Sequence, residues 1–133
     1  MKLALHIGTT KTGTTSCQHW FAGNRAALAQ QGVIYPESLG EVNHRKLMVY
    51  GRDSDKPDEA FRRNGVHTKE DHAAFRKTLE TEFAAEVAAH PQARHWVISN
   101  GHLHSKITTA RMIRRGRDFL APHFSEITVY LHL

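Results

Sequence analysis

Apolar residues come in two rhythms along this chain. Short unbroken runs occur at KLALHI (residues 2–7), VIYP (33–36), HWVIS (95–99) and EITVYLHL (126–133). Each is bounded by glycine, proline or polar residues, and each predicts a buried strand. Between them the spacing turns helical. A helix is predicted from Thr14 or Thr15 through SCQHWFAGNRAALAQQ, with Gly32 as its C-terminal stop. Phe75, Leu79, Phe83 and Val87 recur every four residues in a second helix. Thr68 with Asp71 forms a near capping box at its start, and Pro91 stops it. NHRKLMVY (43–50) could hold a short helix, GRDSDKPDEAFRRNG (51–65) reads as an exposed loop, and a basic helix is expected from about Thr109 to Leu120. Strands alternating with helices predict a single α/β domain over residues 1–133, its parallel sheet covered by helices on both faces and ending after about the fourth strand.

Composition narrows the class of partner. The net charge is +5, with 40% hydrophobic and 23% charged residues, which suits a globular chain with an anionic partner. The basic residues are scattered and aromatics make up 8%, so the aromatic–basic interleaving that stacks bases is absent and nucleic acid is not expected. One basic run, RMIRRGR (111–117), reads as the solvated face of a helix, with a phosphate site there as the lesser alternative. No apolar run approaches membrane-spanning length, and the first residues are too short for a secretory signal, so a cytoplasmic location is expected. The single cysteine, Cys17, excludes an internal disulfide and reads as a small buried residue near a helix start.

The candidate chemistry lies in HIGTTKTGTTS, His6 to Ser16, directly after the first strand. A strand, a glycine-bearing loop and a helix start make an anion site from backbone N–H groups and the helix dipole. Gly8 lets the chain turn, and Gly13 lets backbone approach a phosphate oxygen. Thr12, Thr14, Thr15 and Ser16 add hydroxyl donors, and Lys11 adds one mobile positive charge. A nucleotide-binding P-loop places its lysine just after the second glycine, whereas here it falls between the two.

This loop resembles the 5′-phosphosulfate-binding loop of PAPS-dependent sulfotransferases, a strand followed by Lys-x-Gly-Thr-Thr/Ser; PAPS is 3′-phosphoadenosine 5′-phosphosulfate. GVIYPES, WVISNGHL and ITVYLHL are similar to the second, third and fourth strand regions of the bacterial members, so the resemblance spans most of the chain. It implies a metal-free transfer of a sulfuryl group from PAPS to a hydroxyl or amine of a small-molecule or glycan acceptor. Thr12, Gly13, Thr14, Thr15 and Ser16 would hold the 5′-phosphate, and Lys11 would neutralise charge on the leaving phosphate. The acceptor must lose a proton to a base. His44, beyond the second strand, is the first candidate among eleven histidines, with His102 and His104 in reserve.

Two departures accompany the resemblance. Asn100 and Gly101 stand where bacterial relatives often carry Ser-Glu. An arginine and a serine that bind the 3′-phosphate are expected after the fourth strand, where this chain has His132. The expectation is therefore the N-terminal half of a sulfotransferase, with weak nucleotide binding, poor turnover and self-association through an exposed sheet edge. The alternatives are a non-catalytic nucleotide- or anion-binding remnant and a P-loop kinase or NTPase. The latter needs a lysine after Gly13 and an acidic strand end for magnesium.

Overall fold

The computed structural model describes residues 1–8 and 14–131, Thr14 by its backbone alone. Four strands, β1 (Lys2–His6), β2 (Val33–Ile34), β3 (His95–Ser99) and β4 (Glu126–Tyr130), form one sheet in the order β2-β3-β1-β4. Every pairing is parallel. Lys2 registers with His95 on one side and Glu126 on the other, and Val33 pairs with His95. The fold is α/β, as the alternation of strand and helix predicts.

The two sheet faces are unequal. Leu3, Ile34, Trp96 and Ile98 are buried within the main hydrophobic core. Helix α5 (Lys69–Ala88) and helix α7 (Ala110–Leu120) belong to that side. Phe83 of α5 meets Trp96 edge-on at 5.9 Å and Phe119 of α7 at 5.1 Å. Helix α3 (Arg45–Gly51) packs against both of them. The opposite face is crossed by α1 (Thr14–Gly23) and α2 (Arg25–Gln30), which link β1 to β2.

Several local expectations hold. The capping box is complete, because the Thr68 side chain accepts from Asp71 N–H while the Asp71 carboxylate accepts from Thr68 N–H. Gly32 follows α2 with φ +79°, the left-handed conformation that a helix-terminating glycine supplies.

Other expectations are corrected. The first helix is two, because Asn24 breaks it: its amide N–H is shared between the Trp20 and Phe21 carbonyls, and its side chain takes the Trp20 carbonyl again. The segment read as an exposed loop contains α4 (Glu59–Arg63), capped by Asp58 and anchored by a fully buried Phe61. A short α6 (Leu103–Lys106) follows β3. Cys17 is exposed rather than buried, because the inward position of α1 belongs to its neighbour Gln18.

Candidate anion site at the carboxyl end of the sheet

Chain direction locates the crevice. β1 leaves the sheet towards β2, passing the position of β3, whereas β3 leaves towards β4, passing β1. The connections part at the carboxyl ends of these two strands, where open α/β sheets bind ligands. Residues 7–8 and 100–101 line this point. Lys11, Thr12 and Gly13 lie outside the described residues. Thr14 opens α1, and Thr15 and Ser16 in its first turn are exposed. That turn carries no acidic residue, so no carboxylate opposes an anion there.

The backbone at Gly8 is fixed from outside the loop. Gly8 has φ +127°, and a Cβ built on it would lie 2.5 Å from His104 Nδ1 and 2.7 Å from the Gly101 carbonyl oxygen. Both the dihedral and the space require glycine. The Ile7 carbonyl accepts from His104 N–H and from His104 Nδ1–H, each at 3.2 Å. A carbonyl only accepts, so the proton sits on Nδ1 and the lone pair of the exposed imidazole is on Nε2. His102 caps α6, and burial, followed by the charges of Arg45 and Lys106, pushes its pKa down.

Beneath this rim runs a buried polar chain. Gln18 Nε2 donates to Ser99 Oγ at 3.0 Å, and a second hydrogen bond of 2.8 Å joins that oxygen to His6 Nδ1. His6 and Ser99 are register partners, so the sheet itself brings them together. Sequence reasoning missed this triplet, since nothing in the chain announces that residues 6 and 99 are neighbours.

His44 also sits here, fully buried, against the Tyr35 ring at a centroid distance of 4.3 Å. Its Nε2–H donates to the Pro36 carbonyl at 2.8 Å, and its Nδ1 accepts from Ser99 N–H at 3.0 Å. Asn100 Nδ2 holds the His44 carbonyl, and Asn100 Oδ1 accepts from His102 N–H. Both ring nitrogens are engaged, and burial with the nearby Arg25 charge lowers the His44 pKa to about 4. A general base needs a lone pair facing its substrate. The described geometry gives His44 no such lone pair, and its place is that of a clasp between the β2–α3 connection and the end of β3.

An apolar groove of about 780 Å³ opens beside the rim, running from Ile7 and His104 past Ile107 and Met112 to Val129. Among the described residues no helix is long and apolar enough to cross a membrane. No family model matches the chain, and neither a curated protein nor a solved structure matches it.

Proposed function

We propose that this chain binds the phosphosulfate end of PAPS on the segment joining β1 to α1 and transfers its sulfuryl group, as a cytoplasmic sulfotransferase. One observation carries the reading: the residues HIGTTKTGTTS span the switch point of a parallel sheet, from the end of its interior strand β1 into an α1 first turn free of carboxylates. Lys11 supplies positive charge to the phosphate oxygen released as its bond to sulfur breaks, and the exposed residues Thr15 and Ser16 offer hydroxyl donors to phosphate oxygens.

His104 replaces His44 as the proposed base. Its Nδ1–H is pinned on the Ile7 carbonyl, leaving Nε2 to take the acceptor proton while the acceptor oxygen or nitrogen bonds to sulfur. The acceptor, a small molecule or glycan, would lie along the groove that His104 borders.

Calorimetric titration with adenosine 3′,5′-bisphosphate, paired with a radiolabelled sulfuryl-transfer assay over hydroxyl and amine acceptors, tests this reading. Lys11→Ala is expected to weaken binding about 10- to 100-fold, the weight of one charge-assisted contact. His104→Gln is expected to leave binding intact and lower kcat about 100-fold or more. Absence of nucleotide binding, or indifference to Lys11→Ala, would sink the proposal. Binding without any transfer would favour a non-catalytic binder, and magnesium-dependent ATP hydrolysis a kinase-like enzyme.

A further inference from the structure

The C-terminal end of α3 carries an unusual number of cations. Arg76 donates Nε–H to the Tyr50 carbonyl and Nη2–H to the Arg52 carbonyl. Arg115 donates to the Gly51 carbonyl at 2.7 Å, and His72 Nε2–H to the Val49 carbonyl at 2.7 Å. The orphan carbonyls of the helix end are thereby satisfied. Carbonyls neutralise no charge, however. Arg111 and Arg115 share one carboxylate, Asp53, at 2.5 and 3.1 Å. Arg76 and Lys69 make no ion pair among the described residues. These four cations and the two carboxylates Asp53 and Asp55 line one open pocket of about 470 Å³, leaving it with an excess of two positive charges. Burial, and then the charge of Arg115, pushes the Arg76 pKa down, as expected where like charges crowd together.

We propose that this pocket is a second anion-binding site, which takes a phosphate or sulfate group of a small molecule. The Arg76 and Arg115 guanidinium groups are already held by carbonyls at the end of α3, and that of Arg111 by Asp53, so little of their side-chain entropy remains to be lost on binding. Each guanidinium has five N–H groups, and the bonds just described leave N–H groups over on Arg76, Arg111 and Arg115. The volume exceeds that of one inorganic ion several times over, a water taking roughly 30 Å³, so the bound group would belong to a larger body. Asp53 acts as an internal stand-in for the anion and sets how tightly the site binds. The site is built from the RMIRRGR run and residues remote in sequence, and it does not depend on the loop before α1.

The test is a titration of the full chain with sodium sulfate, sodium phosphate and sodium acetate at constant ionic strength, read by NMR at the arginine Nε–H signals. Saturable shifts at Arg76, Arg111 and Arg115 are expected with sulfate and phosphate and not with acetate. Lys69→Gln and Arg111→Gln, both at exposed positions, are expected to weaken binding about tenfold each. Asp53→Asn is expected to tighten it by a similar factor, whereas a purely structural cluster would only lose stability. Lys11→Ala should leave these shifts unchanged. No saturable shift, insensitivity to Lys69→Gln and Arg111→Gln, or loss of the shifts in Lys11→Ala would overturn the proposal.

Discussion

A neutral imidazole with both nitrogens in use, sealed from water, makes His44 a brake on acid stability. Its pKa is lowered to about 4 in the fold, against 6.5 in the unfolded chain. Below pH 6.5 the unfolded chain therefore binds the proton first, and the stabilisation present above that pH drains away down to about pH 4. The full difference is roughly 3 kcal/mol. His72, Nδ1-bonded to Ser54 and lowered first by burial, adds to it in the same direction. Urea unfolding at pH 7 and pH 5 should show the loss, and His44→Gln should flatten the slope between them. At Gly8 a side chain meets the Gly101 carbonyl and a φ of +127° at once. Gly8→Ala is expected to cost at least about 1–3 kcal/mol in the same assay, while Gly65→Ala, with open space around it, should cost less despite its positive φ.

Elements announced by punctuation and period were legible, and those that depend on tertiary contact were not. β3 runs over the predicted residues because an apolar run sits between Arg94 and Asn100. α5 was readable because twenty residues allow its four-residue repeat to show. α4 has five residues, too few for any period, and its lone aromatic stands among charges. Only the closed structure reveals that Phe61 is a plug, with the Arg52 guanidinium 5.3 Å from its ring centroid. Phe61→Ala is accordingly expected to cost about 3–5 kcal/mol by thermal or urea unfolding, where an exposed loop residue would cost almost nothing. The candidate site was half legible for the same reason. The loop motif is local, but the Gln18–Ser99–His6 chain and the closure of His44 need the strand register. The placing of Cys17 failed by a single position, which on a helix is a turn of about 100°.

Across the whole molecule, β4 is one of the two border strands of the described sheet, paired on one side only with β1. Val129, Tyr130 and Leu131 are each about half exposed (55%, 51% and 47%), and a strand edge of this kind recruits further strands. Sedimentation is expected to show concentration-dependent dimers, and Val129→Lys, a charge placed on that edge, should return the chain to monomer. A wild-type chain that stays monomeric at millimolar concentration would refute this. The position of β1 has a consequence during synthesis. His6 waits for Ser99, 93 residues later, before its first sheet partner exists, and β4 comes later still. Loop closure over such separations precedes any gain from pairing, so assembly is expected to be slow for a chain of this length. Until then the apolar strand β1 has no sheet partner. That interval is expected to expose it to non-native pairing.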